Sequence, residues 1–348
     1  MSEMKYRNRR AVQIENDQVR VTVLVEGGHI AEILHKRTGV NPLWTPPWAS
    51  MEPSLCDAAH PEKHPEYGAD AESKLLCGIM GHNVALDLFG GPSPEEAAAG
   101  MTVHGEASVG AYTIQSDGPF LTASTTAHAA QLNFTRNIRL DADGKTVHIS
   151  ETVENLAALD RPIAWTQHVT LGPPFLARGK TQVRAPGTKS KVFESEFGDS
   201  RFKTGAVFDW PLVPLKKGGT EDLRTYTSAE SSAGFTTHMM DPHREEAFFV
   251  AWSPESHVLF GYKWKRTDFP WLGIWEENHA RTGLPWGGKT MTRGMEFGAS
   301  PMPESRRQMI DRGSLFGMPG FRWIPAKSKV MVNYSAMITT AGAIPDEI

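Results

Sequence analysis

The stretch Val147-His148-Ile149-Ser150-Glu151-Thr152-Val153 decides the class of the fold. Its odd positions are mostly apolar and the others are polar. A two-residue period of this kind gives a strand with one face to a core and one to water. Just before it, Asp141-Ala142-Asp143-Gly144 reads as a turn. Outward from there, strand-like runs recur at residues 19–25, 109–115, 132–140, 248–252, 258–264 and 330–338, whereas helical periodicity is scarce. Clusters of Gly, Pro, Asn and Asp separate the runs, and the 32 Gly and 24 Pro of the chain suit strand punctuation better than helix interiors. Many short strands with turn signals between them predict an all-β sandwich or barrel.

Three stretches read as long loops, at residues 42–71, 91–101 and 189–225. Loops of that length on a β scaffold carry function or cover an edge. Within the second, Ser93 suits the cap of one short helical turn, and Glu95 and Glu96 suit its first turn. Residues 305–312 suit another. There is no internal repeat, low-complexity tract or clean linker. Residues 1–348 therefore read as one domain, the first 15 forming a peripheral strand.

The 348 residues are 22% charged and 40% hydrophobic, an ordinary soluble globular composition. The formal net charge of −4 gives no electrostatic case for nucleic acid or for an anionic membrane. No run approaches the ~18 apolar residues of a membrane helix. The first ten residues are charged with no apolar run behind them, so no signal peptide is expected. Cys56 and Cys77 are the only cysteines, which argues against a disulfide scaffold and for a reducing, cytoplasmic setting.

Two separated signatures carry the chemistry: Trp165-Thr166-Gln167-His168 and Gly294-Met295-Glu296-Phe297-Gly298. Each puts one titratable side chain in an apolar, strand-like setting. A buried His and a buried Glu brought together form a general acid–base pair. Alternation puts Gln167, Val169 and Leu171 on one strand face and Thr166, His168 and Thr170 on the other. Glu276 and Glu277 are rivals for the carboxylate. Trp165 and Trp275 are the candidate aromatic platforms, because the flat apolar faces of ligands pack on aromatic rings. The thirteen His are dispersed, without HxH or HExxH spacing, so no metal site is assigned. Gly287-Gly288-Lys289-Thr290 lacks the upstream Gly and the strand–helix setting of a phosphate loop.

At five points the chain resembles the galactose mutarotase-like superfamily, which includes the aldose 1-epimerases. They are Gly27-Gly28-His29-Ile30, Thr102-Val103-His104-Gly105-Glu106, Thr166-Gln167-His168 after Val153-Glu154-Asn155, Gly294-Met295-Glu296, and Trp323-Ile324-Pro325 with the run after it. Together they span most of the chain. The resemblance implies an antiparallel β-supersandwich and an isomerase that interconverts sugar anomers without a cofactor. Glu296 would be the base and His168 the acid. The implied partner is a small-molecule carbohydrate, with substrate contacts from His104, His82, Asn83, Trp165, Asp241, Trp275 and Glu277. His82 stands where the family carries an Arg, a departure that removes a fixed charge and a bidentate fork. Catalysis predicts the Glu296 carboxylate and the His168 imidazole within ~6–7 Å across one pocket. Two alternatives stay open. One is a non-catalytic carbohydrate-binding protein. The other is an epimerase or lyase on an acidic or phosphorylated sugar, served by Lys263, Lys265 and Arg266.

Overall fold

The computed structural model describes residues 4–57, 60–68, 72–195 and 200–348. Strand Thr146–Asn155, which contains the deciding stretch, alternates between buried and half-buried residues along its whole length. It lies inside an eight-stranded sheet, pairing antiparallel with Leu132–Leu140 on one side and Lys329–Thr340 on the other. A second, twelve-stranded sheet has at its centre the consecutive neighbours His82–Asp87, Arg161–Leu171, Met291–Gly298, Trp271–Asn278 and Ser232–Met240. Among the described residues the strands of both sheets pair antiparallel throughout.

The core lies between the two sheets. Phe134, Ile149, Phe249 and Phe260 come from the smaller sheet, and Val21, Val84, Trp165 and Phe297 from the larger. Trp264 stacks on Phe297 across the gap with ring centroids 4.2 Å apart. The fold is therefore the all-β sandwich that the alternation predicts.

Glu151 interrupts the apolar side of the deciding stretch, and the structure shows why it can. Its Oε1 accepts from Arg136 at 2.8 Å, directly across the ladder, and from the Tyr334 hydroxyl at 2.6 Å. Its Oε2 accepts from Trp165 at 2.9 Å and Gln167 at 2.6 Å. A buried ion pair is tolerable only when its remaining hydrogen-bonding capacity is met in this way.

Three expectations need correction. The stretch 189–225 contains the short strands Val207–Asp209, Leu212–Pro214 and Thr220–Asp222, too brief to show a period. The run at 109–115 starts in a turn, and its strand is Thr113–Asp117. Residues 4–15 form two strands, Met4–Tyr6 at the sheet edge and Arg9–Glu15 next to it. Both helical turns are present, at Pro94–Ala98 and Arg306–Arg312, each with a reciprocal capping box, on Ser93 and Ser305. The stretch from residue 42 coils through three 3-10 turns; its last residue, Ala71, lies outside the described residues. No described helix is long and apolar enough to cross a membrane.

Candidate active site

His168 and Glu296 face each other across the ladder between Arg161–Leu171 and Met291–Gly298. The alternation holds: Trp165, Gln167, Val169 and Leu171 point into the core, and His168 shares the outer face with Thr166 and Thr170. Both titratable side chains are buried, because other segments cover this outer face. His168 Nε2 lies 3.1 Å from Glu296 Oε1, so the expected gap of ~6–7 Å is closed to direct contact. The distance is that of an ion pair, yet Glu296 Oε1 has no aligned hydrogen-bond donor. On the far side of the ring, Thr170 Oγ1 sits 3.1 Å from Nδ1.

One glycine makes room for the carboxyl and a second for the Phe235 ring beside it. A methyl group built on Gly294 would lie 2.2 Å from Glu296 Oε1, and one on Gly273, opposite Glu296, would meet the Phe235 ring at 2.7 Å. Gly294→Ala is therefore expected to displace the carboxyl and slow any Glu296-dependent reaction by about 10- to 100-fold. Its melting temperature should stay close to that of wild type. Turnover and a melting curve on the same sample check both parts, and an unchanged rate would refute the positioning role.

His104 is the third polar group. Its Nδ1 donates to Asn83 Oδ1 at 3.1 Å, and its ring centroid is 4.5 Å from that of His168. Gly105 follows at φ +74, where a Cβ would come within 2.1 Å of the Leu86 carbonyl oxygen. This close approach pins the His104 turn against strand His82–Asp87.

The rest of the cavity is apolar. Leu75, Leu76, Ile79, Phe89, Val103, Phe235, Trp275, Trp286 and Pro303 line it, with Glu72 and Arg281 as the further charged groups. Its volume is about 70 Å³. Trp275 brings its ring centroid within 5.8 Å of the His168 ring. Behind its wall, Trp48 donates to the Leu76 carbonyl at 2.9 Å, and Trp44, Trp48 and Trp286 pack with centroids 5.2 to 6.3 Å apart. Arg281 lies over the Trp286 ring at 4.6 Å and pairs with Glu72 at 3.1 Å. Two wider grooves, of about 820 and 850 Å³, touch neither His168 nor Glu296.

Burial sets the protonation of the pair. It raises Glu296 to about 8 and lowers His168 to about 4. Burial also holds His104 well below the ordinary histidine value, with the neighbouring His168 and His29 adding to it. Between about pH 4 and 8 the pair thus carries one proton, resting on the carboxyl. A protonated carboxyl in contact with a free imidazole nitrogen can donate one proton and accept another in the same event.

Several predicted contacts fall elsewhere. His82 points into the core, bonded to Tyr262 and Gln167 at 2.9 Å each. Trp165 also points inward, as the strand period requires, and is fully buried on Glu151. Asp241 caps a turn by accepting from the His243 amide at 2.9 Å. Asn83 supports His104 and does not line the cavity. Glu277 accepts from the amides of Ala280 and Arg281 at 2.9 Å each, anchoring the turn that carries Arg281. Glu276 lies on the inner face, bonded to Arg201 at 2.6 Å and Ser232 at 2.5 Å. Lys263, Lys265 and Arg266 line one of the two wider grooves, so they cannot serve this cavity. Sequence reasoning missed the apolar wall from Leu75, Leu76 and Ile79, since Ser73–Leu76 is only 4 residues long and shows no period. Among the described residues no group of three His, Cys, Asp or Glu could hold a metal ion.

The sequence matches no protein-family model and no curated protein. Solved structures do resemble it. A galactose mutarotase-like protein from Clostridium acetobutylicum covers 98% of each chain at 14% identity, with a TM-score of 0.60. One from Lactobacillus casei covers 94% of this chain and 100% of its own at 14% identity, with a TM-score of 0.60. A provisionally assigned aldose 1-epimerase from Klebsiella pneumoniae covers 96% of this chain and 80% of its own at 12% identity, with a TM-score of 0.66. The chain has the galactose mutarotase-like fold.

Proposed function

We propose that this protein is an isomerase that interconverts the anomers of a cyclic hemiacetal, as an aldose 1-epimerase does, with Glu296 and His168 moving the protons. One observation carries the reading. The two side chains are buried in contact, 3.1 Å apart, at the wall of one cavity. Each step is redox-neutral and consists of proton transfers and one C–O bond change. Glu296 gives its proton to the ring oxygen as the bond from that oxygen to C1 breaks. His168 takes the proton of the C1 hydroxyl as the C1 carbonyl forms. After rotation about C1–C2, both protons return and the ring closes on the other face. The ring oxygen and the C1 hydroxyl share one carbon, so two adjoining catalytic groups can reach both. His104 is placed to accept from, or orient, the C1 hydroxyl. The fold-level likeness to proteins described as galactose mutarotase-like adds support.

Saturation-transfer NMR on a panel of hemiacetals tests the reading by measuring anomer exchange with and without protein. Ligand binding without faster exchange would favour a carbohydrate-binding protein instead. The pH profile is a second test. Below about pH 4 His168 is protonated and loses its acceptor; above about pH 8 Glu296 is ionised and loses its donor. The rate should be flat between these limits and fall about tenfold per pH unit outside them. A rate that holds steady to pH 10 would rule out Glu296 as the acid.

A further inference from the structure

The geometry points to a substrate with a single hydroxylated, anomeric end and an otherwise apolar body: a deoxygenated, alkyl-bearing lactol rather than a polyhydroxylated hexose. The inference rests on the anomer-exchange reading and names the substrate class for it.

The polar groups of the cavity gather at one place. Glu296, His168 and His104 are mutual neighbours, through the 3.1 Å contact and the 4.5 Å ring separation. Glu72 and Arg281 are partly solvent-exposed, paired with each other, and so belong to the mouth. Between these ends the walls are Leu75, Leu76, Ile79, Phe89, Val103 and Phe235. None of these side chains can donate or accept a hydrogen bond.

A hexose would bring four hydroxyls beyond the anomeric one. Each hydroxyl buried without a partner costs roughly tenfold or more in affinity. The residues expected to grip those hydroxyls are not there to do so, since His82 is bonded within the core and Asp241 closes a turn. Size points the same way. A cavity of about 70 Å³ holds roughly five to seven water-sized groups at ~10–15 Å³ each. The eight heavy atoms of a hydroxylated ring with one methyl lie closer to that number than the twelve of a hexose. An apolar ring body, by contrast, gains from leaving water for such walls. Glu296 Oε1, buried without a hydrogen-bond partner, is left for the ring oxygen of such a ligand.

The probe is 6-methyltetrahydropyran-2-ol, whose two anomers are diastereomers with separate NMR signals, compared with glucose and galactose. The expected result is saturable acceleration of anomer exchange on the methyl lactol, with kcat/KM at least about 100-fold above that for either hexose. Equal or faster exchange on a hexose would overturn the substrate class and leave the anomer-exchange reading standing. Saturable line broadening of the lactol alone, without exchange, would keep the class and overturn that reading. Neither binding nor exchange of the lactol would overturn the class.

Discussion

Glu296→Gln is expected to lower catalysed anomer exchange by about 10²- to 10⁴-fold while leaving the protein folded. The range is what one positioned proton donor contributes to a proton-transfer step. Gln keeps the shape of the side chain and a neutral head, which matches the protonated carboxyl that burial imposes on Glu296 near neutral pH. Its amide cannot release a proton to the ring oxygen. The variant should therefore bind substrate and fail to turn it over. A second readout separates this from structural damage. Above about pH 8 the wild type must bury an ionised carboxylate, and the Gln variant carries no such burden. Denaturant melts at pH 9 should find the variant at least as stable as wild type. Full activity in Glu296→Gln would remove Glu296 from the chemistry altogether.

Acidification from pH 7 to 5.5 should destabilise the folded protein by about 4–5 kcal/mol. The cause is a set of histidines buried in neutral form: His29, His82, His104, His168 and His238. Burial is the main influence on each, and it pushes His29 and His238 down to about 3 and His168 to about 4. In the unfolded chain all five would take up a proton near pH 6.5. Unfolding thus binds protons, and stability falls as the pH drops below about 6.5. One unit below that value each histidine has cost about 1.4 kcal/mol, or about 7 kcal/mol for the five. Glu296 works in the opposite sense, since its raised value makes the folded state keep a proton that the unfolded state has lost. Across the same interval it restores about 2 kcal/mol. The remaining loss is a large share of the ~5–15 kcal/mol by which domains are stable. Denaturant titrations at the two pH values measure it directly. Equal stability at both would mean that these histidines take up protons without unfolding.

The all-β class was legible because Thr146–Asn155 lies on the inner sheet surface with one face wet, which is the condition that produces alternation. The same period placed His168 on the outer face, and the register then set it opposite Glu296. It also placed Trp165 on the inner face, three residues away and of opposite parity, so that residue was never available to the ligand. His82 and Asn83 show the same parity effect, one turned to the core and the other to the His104 turn. What stayed hidden depends on long-range packing. Ser232–Met240 is buried on both faces, so nothing in its sequence marks Phe235 as a cavity wall. The resting protonation of the acid–base pair depends on the segments that cover it, and no spacing in the chain encodes that cover.

The tryptophan cluster beside the cavity also makes the protein its own optical reporter. Trp44, Trp48, Trp275 and Trp286 form a connected array, with Trp275 and Trp286 meeting edge to face at 6.0 Å. Indoles this close exchange excitation energy, and their combined emission follows the polarity of the space beside them. Two of the four, Trp275 and Trp286, touch that space directly. Water in the cavity holds the emission to the red, and an apolar occupant would shift it to the blue. Ligand entry can be timed by mixing protein and ligand and watching the light, with no label attached.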